Sequence, residues 1–557
     1  MNAGRRIRVQ RSREFERNLK LFSKTTEIRQ WIQCPMSFLV RILKHSSQSI
    51  VAGVTGAVGS FVAAAVIART LGVEATATVG MALWIVFLMT TLSDVGITGA
   101  LSRFLSAHRG EGEPGEFETL TSYAFKVFFL AIIAGLVLTA AALRLYWPDI
   151  LSKYAATPRE GYIFCGFVLL CFVVHMLYAF SYQLLRGQRA FGTITLLSFV
   201  GTVLQIVLVF VGSRWLGANG AILAYVGFSV PLLWALTKLR PAPRLPEIEE
   251  RRRMRSYAAT FYASALFSPL LWVRVDVIFV DQLRAAYEVG LFVAAATIAA
   301  LLLQLCQMVC NALLPNIVNA AHEGEGALRR ASATAARFGL LLLLPATTMG
   351  AAVAPRVIDA IYGSAFAGAG TAAALLCLAA GASAVTLVVS SVLNATDSNA
   401  SLARNGMIGA ALTVALGIAL VSQFGLIGAA VARLCAQSAV ALFNLLALRR
   451  RMPGVVRTRW LAPMLFASLC AGAAALAVSS STTGFLIVLP ALAFGGAIYL
   501  ALSLLFLNPT PHELDRASGL ASGQPRTVAK MLVFMVRIAG WRGNKRQVAT
   551  DQGPSPK

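Results

Sequence analysis

The 557-residue chain is 57% hydrophobic and 13% charged, with a formal net charge of +25 and a mean hydropathy of +0.71. Soluble globular proteins carry roughly 25% charged residues, so this composition excludes a water-soluble enzyme and a string of aqueous domains. The positive balance does not mark a nucleic-acid binder, because Lys and Arg collect in the tails and in alternate connections between apolar segments.

Met1 to Lys44 is basic and lacks a small-residue cleavage site within a short apolar stretch, so residues 1–48 read as a basic cytoplasmic extension, not a cleaved signal peptide. About 20 apolar residues are needed per crossing. That criterion places spans near 49–68, 76–98, 122–143, 161–184, 190–213 and 218–237. A second group follows near 257–280, 286–312, 336–358, 369–393, 403–423 and 426–448, and a final pair near 460–480 and 484–507. The expected fold is all-α integral membrane with about 14 transmembrane helices. It divides into a six-helix bundle at 49–240, a second at 255–450, a C-terminal helix pair at 460–507 and a cytoplasmic tail at 508–557.

The connections set the orientation. Arg103 and Arg109 follow span two, Arg186 and Arg189 span four, and Arg251, Arg252, Arg253 and Arg255 span six. Arg329 and Arg330 follow span eight, Arg404 span ten, and Arg449, Arg450, Arg451, Arg457 and Arg459 span twelve. Under the positive-inside rule both tails are expected in the cytoplasm, where the basic loops and tails would meet anionic lipid headgroups. An internal repeat joins the two groups of six. Leu216-Gly217-Ala218-Asn219-Gly220-Ala221-Ile222-Leu223-Ala224 recurs as Phe424-Gly425-Leu426-Ile427-Gly428-Ala429-Ala430-Val431-Ala432. Val79-Gly80 corresponds to Val289-Gly290, and Leu185 to Leu393. An even number of spans per repeat relates the halves by an axis along the membrane normal, the parallel-repeat arrangement of transporters that enclose a midplane cavity.

Ionised groups inside a span cost about 2.5–3.5 kcal/mol each and need a partner, water or a role. Span seven carries Arg274 and Asp276, which point about 200° apart on a helix and so do not simply neutralise each other. Either one faces the cavity and the other a neighbouring helix, or both snorkel to headgroup water. Gln304, Gln307 and Asn311 form one polar face of span eight, suited to a hydrated lumen or to interhelical hydrogen bonds. Asp94 and Arg103 flank the tail-side end of span two, either as a gate or as solvated anchors. His175 is a lone histidine, and Lys126 is expected to snorkel. Pro231, Pro269 and Pro345 are candidate hinges, and Gly53, Gly56 and Gly59 form a small-residue stripe. The eight cysteines lie almost entirely in apolar runs without C-x-x-C spacing, so no metal, cofactor or disulfide framework is expected.

Several segments resemble the Wzx-type polysaccharide flippases, in the multidrug/oligosaccharidyl-lipid/polysaccharide exporter superfamily. They are Ala68-Arg69-Thr70-Leu71-Gly72, Gly80, Gly96 through Arg103-Phe104, Arg274-Val275-Asp276-Val277-Ile278, Glu288-Val289-Gly290-Leu291-Phe292-Val293-Ala294-Ala295, Leu314-Pro315, Ile361-Tyr362-Gly363 and Gly425 through Ala432. Coverage runs from about residue 49 to 450; Phe292 stands where that family often has Tyr, and the basic extension before residue 45 is longer than usual. The resemblance implies an inner-membrane flippase that carries an undecaprenyl-diphosphate-linked oligosaccharide to the periplasmic leaflet, beside a polymerase and chain-length machinery. It implies a cationic lumen, with Arg274 placed to meet the diphosphate through its planar fork and Gln304, Gln307 and Asn311 to meet sugar hydroxyls.

Three other functions stay open. A cation-coupled drug exporter is expected to place a carboxylate in the first bundle, and Ile50 to Ala68 has none. A lipid II flippase is expected to carry an Arg-rich cluster in span one, also absent here. A membrane glycan polymerase or ligase needs an extended far-side loop, whereas the longest, Arg144 to Glu160, offers only Asp149, Lys153 and Glu160 without a nucleophile and base pair.

Overall fold

The computed structural model describes residues 35–108, 116–240, 245–272, 275–322, 324–394, 399–456, 458–481 and 484–506, and among these there is no strand. Hydrocarbon offers no water to backbone N–H and C=O groups, and a helix satisfies them within itself. The main helices are α1 (Pro35–Ser93), α2 (Ile97–His108), α3 (Glu116–Leu145), α4 (Pro158–Gly187), α5 (Phe191–Ser229), α6 (Ile248–Trp272) and α7 (Val275–Leu283). They continue as α8 (Ala286–His322), α9 (Glu325–Tyr362), α10 (Gly370–Asn394), α11 (Asn399–Arg451), α12 (Thr458–Ser481) and α13 (Val488–Phe506).

Among the described residues, nine helical stretches are long and apolar enough to cross a bilayer, and Val488–Ser503 is a shorter apolar helix. Three of the nine contain two spans each, joined at Gly72 in α1, Gly217 in α5 and Gly425 in α11. With α6 and α7 in place of the seventh span, the fourteen expected spans are all represented, and the protein is an all-α, multi-pass membrane protein. The sequence left connections at 69–75, 214–217 and 424–425 between these paired spans. The structure makes each with one residue of positive φ, which glycine adopts without a Cβ clash. Gly217 (φ 58°, ψ −137°) and Gly425 (φ 57°, ψ −135°) adopt nearly the same conformation. In both, the second helix folds back on the first: a Cβ at Gly220 would lie 2.1 Å from the Gly212 carbonyl oxygen, and one at Gly428 2.1 Å from that of Leu420. The ends of the internal repeat are conformational copies.

In the first half α1 packs on α5, α5 on α4, and α4 on α2 and α3. The small-residue stripe of α1 serves this packing, since Gly59 admits Thr202 of α5 at a distance no Cβ would allow. In the second half α8, α9, α10 and α11 pack together with α7 against α11. The final helices α12 and α13 pair with each other and lie against α9. Pro345, expected as a hinge, sits buried inside an uninterrupted α9. A proline deprives the carbonyl four residues earlier of its helical donor. That carbonyl, Leu341 O, accepts instead from Tyr499 Oη of α13 at 2.6 Å, so the proline marks where the C-terminal pair docks.

The apolar core is asymmetric along the membrane normal. Below, the end of the spans nearer the tails is the tail side, and the opposite end the far side. Far-side residues of the second half, including Val277, Val289, Phe292, Ile358 and Ala429, belong to the same continuous core as the first half. The tail-side residues of the second half, including Cys306, Leu340, Val392 and Leu448, form a separate core. The apolar cores of the halves are therefore continuous at the far end and separate at the tail end, where the halves meet through α6 packed on α1, α2 and α3 and through Met308 of α8 against Gly53 of α1.

Candidate functional site

Between the halves lies a cavity of about 520 Å³, walled by α1, α5, α8, α10 and α11. Its far end is bounded where the halves touch through small residues. Gly80 of α1 receives Val293 of α8, and Gly290 of α8 receives Val73 of α1. Arg69 at the far end of the first span donates from Nε to Ile361 O at 2.8 Å and from Nη2 to Ala360 O at 2.5 Å. These carbonyls close the C-terminus of α9, where orphan acceptors and the helix dipole favour a cation. Phe61 meets the Tyr362 ring edge-on at 6.3 Å.

The cavity wall is mostly Ala, Leu, Val and aromatic, with small hydroxyls at Ser60, Thr76, Thr297 and Ser383 and its larger polar groups on α8 and α11. Gln304 and Gln307 line it from the exposed face of α8, while Asn311, one turn further, is exposed and outside the lining. Arg274 lies outside the described residues. Its neighbour Asp276 is 1% exposed, which excludes snorkelling for that side chain, and its carboxylate pairs with Arg433 Nε of α11. Arg433 is the one charged side chain among the described lining residues, and Gln437 stands one turn along the same helix.

Arg433 and Gln437 were not singled out from the sequence. Their i, i+4 spacing inside span twelve was the available signal, as was the repeat register that pairs Gly217 with Gly425 and hence Tyr225 with Arg433; Tyr225 also lines the cavity. The helix carrying Arg433 is clamped at its far end. Arg284 donates to Val421 O and Ser422 O at 3.1 and 2.8 Å, and Glu288 accepts from the Leu426 backbone N–H at 3.0 Å. Both helix termini at the Gly425 turn thus have partners of the charge their dipoles favour.

The other expected site residues lie away from the cavity lining. Asp94 accepts from the Thr98 hydroxyl at 2.7 Å and caps α2. Arg103 lies over the Tyr257 ring of α6 at 4.3 Å. Beside it, Tyr262 donates to Leu92 O at 2.5 Å, and a Cβ at Gly96 would lie 2.1 Å from Ala258 O. Both belong to the tail-side seam between α2 and α6. Pro231 begins the 3-10 helix Val230–Lys238, where the α ladder ends for want of its N–H. Pro269 is within α6. His175 stacks on Tyr178 at 5.6 Å and does not line the cavity. Among the described residues no group of His, Cys, Asp or Glu has the arrangement to hold a metal ion.

Two packed helical halves around a central amphipathic cavity, with a C-terminal pair outside them, define the class: a polytopic membrane protein with a transporter fold. A family profile described as "Polysaccharide biosynthesis protein" matches residues 42–320, half of the chain, and the protein belongs to that family. It is 21% identical over 407 residues to the "Probable low-salt glycan biosynthesis flippase Agl15" of Haloferax volcanii, a match covering 70% of this chain and 80% of the relative. Its fold is that of the solved structure "Lipid II flippase MurJ, inward closed conformation" (TM-score 0.67, 15% identity, 83% of this chain and 98% of that one). It is also similar to the inward-facing conformation of a multidrug resistance MATE family transporter of the MOP superfamily (TM-score 0.58, 14% identity, 73% of this chain and 98% of that one).

Proposed function

We propose that the protein is a flippase that moves an undecaprenyl-diphosphate-linked oligosaccharide from the cytoplasmic to the periplasmic leaflet of the bacterial inner membrane, for surface polysaccharide synthesis. The tails and basic loops then lie in the cytoplasm, and the far side faces the periplasm. The carrying observation is the cavity: apolar walls, three glutamines and one guanidinium. Such a lining suits a cargo with a phosphorylated head and hydroxyl-rich sugars. Its volume of about 520 Å³ falls within the range of roughly 300–1,000 Å³ typical of ligand sites, enough for a diphosphate and its first sugars.

Arg433 takes the part the resemblance gave to Arg274. Its Nε edge is held by Asp276, and a guanidinium has further N–H groups that match phosphate oxygens. Gln304, Gln307 and Gln437 are placed to meet sugar hydroxyls, and alternating access would come from rocking one half against the other. Asp94 and Arg103 serve the tail-side seam in this scheme. A polymerase and chain-length machinery would act on the product at the far leaflet, and the chain itself carries out no covalent chemistry. A drug exporter is less well served, because no carboxylate lines the α1 part of the cavity among the described residues.

The test is the lipid-linked sugar pool of a deletion strain, measured beside surface polysaccharide. Accumulated undecaprenyl-linked oligosaccharide, cleared by the wild-type gene, is the expected result. An unchanged pool with raised drug sensitivity would favour the exporter instead.

A further inference from the structure

The far end holds a second inter-half contact, whose first-half side, Tyr146 to Tyr154, lies outside the segments that carry the family resemblance. Between the spans of α3 and α4 the chain forms two short helical turns, Trp147–Asp149 and Ile150–Tyr154. This loop of the first half reaches over α7 of the second half, and its polar groups converge on one carboxylate. Tyr146 Oη donates to Asp281 Oδ2, Tyr154 Oη donates to Oδ1, and Lys153 Nζ donates to the Asp281 carbonyl. Lys153 Nζ also pairs with the carboxylate at 3.6 Å. Gln282 adds its Nε2 at 3.1 Å. The Asp281 side chain is fully buried by these partners.

A carboxylate buried under three side chains from the opposite half is a costly way to glue two surfaces, because apolar packing of the same area would serve as well. Its distinguishing property is reversibility. Once the halves part, water solvates the carboxylate, the ammonium and the phenols, whereas a separated apolar seam gains no such compensation. Burial, then the Asp281 carboxylate itself, pushes both phenols well above the ordinary tyrosine range, so they remain donors at physiological pH. The contact lies at the end where the two halves share one core, and the tail-side core of the second half is separate. Asp281 also stands five residues from Asp276 on the nine-residue α7, so a movement that frees it shifts the partner of Arg433.

We propose that Asp281 is a gating residue: its capture by Tyr146, Lys153 and Tyr154 latches the far side shut, and its release accompanies far-side opening. This rests on the alternating-access reading of the fold.

The test uses the full-length protein in sealed vesicles, with the native cysteines removed and Ser60→Cys introduced as a cavity reporter. Ser60 is exposed and lines the cavity. A membrane-impermeant maleimide is added on the far side to the parent, to Asp281→Asn and to Tyr146→Phe/Tyr154→Phe. The second variant leaves Asp281 intact and removes only the phenolic donors, so a folding defect in one does not decide the outcome. Far-side labelling in both variants should rise about tenfold, the factor that ~1.4 kcal/mol of lost closure free energy produces. Rates equal to the parent in both variants would overturn the proposal, as would a parent already labelled as fast as they are. The lipid-linked pool assay reads the flippase function without reference to the latch. Raised labelling with a normal pool in the deletion strain would keep the latch and discard the cargo.

Discussion

Arg433→Ala is expected to abolish transport and to destabilise the protein, and adding Asp276→Ala is expected to restore much of the stability and none of the transport. The single truncation leaves Asp276 charged, 1% exposed and without its guanidinium. Breaking a buried pair on one side costs about 3–5 kcal/mol, whereas removing both partners leaves no orphaned charge. Transport follows a different rule. If Arg433 meets the diphosphate, both variants lose a charge-assisted contact worth about 2–5 kcal/mol, roughly thirtyfold to several thousandfold in rate if it acts in the rate-limiting state. Arg433→Lys keeps the charge without the planar fork and should fall between. Unfolding in detergent and lipid-linked sugar clearance, measured on all three variants, separate the effects. Full transport by the double variant would remove Arg433 from the cargo path.

The second large effect concerns the two equivalent glycines. Gly217→Ala should cost about 1–2 kcal/mol, the strain of a side chain in the left-handed region, because no atom lies within 4 Å of the added Cβ. Gly425→Ala should cost more, by a further ~1–3 kcal/mol of overpacking, because its Cβ would fall 2.3 Å from Glu288 Oε2. Relieving that clash means moving the carboxylate that accepts from Leu426 N–H, and with it the helix bearing Arg433. Gly425→Ala should therefore reduce transport per folded molecule, while Gly217→Ala reduces stability alone. Equal losses of both quantities at the two sites would show that the clamp does not position Arg433.

The architecture was legible because bilayer thickness dictates span length and the apolar runs repeat at that length. The turns at Gly217 and Gly425 lay within the segments that showed the internal repeat. That each glycine makes the whole reversal by itself was not legible, since Ser213 and Arg214 before Gly217 and Ser422 and Gln423 before Gly425 read as short polar loops. Segments that carried the family resemblance also meet in space: Arg69 reaches the carbonyls of Ala360 and Ile361, and Glu288 holds the Gly425 turn.

The cavity's charge was harder to find. Span twelve was placed correctly, yet Arg433 seven residues beyond Leu426 looks like any cation near a helix end. Only the packing of α7 against α11 brings Asp276 to it. Asp281 left still less trace. Its partners Tyr146, Lys153 and Tyr154 lie more than 120 residues upstream, and a contact between two halves has no periodicity within either. Asp94 and Arg103 drew notice as charges at a span end, and they serve a tail-side seam that no local pattern distinguishes from a cavity mouth.

The most direct measurement is leaflet-to-leaflet movement of an undecaprenyl-diphosphate-linked oligosaccharide in vesicles reconstituted with the purified protein, scored by far-side accessibility of the glycan. Wild-type protein should move the glycan well above protein-free vesicles, and Arg433→Ala should reduce movement to that background. Wild-type vesicles no faster than empty ones, with correctly folded protein, would contradict a flippase for this cargo.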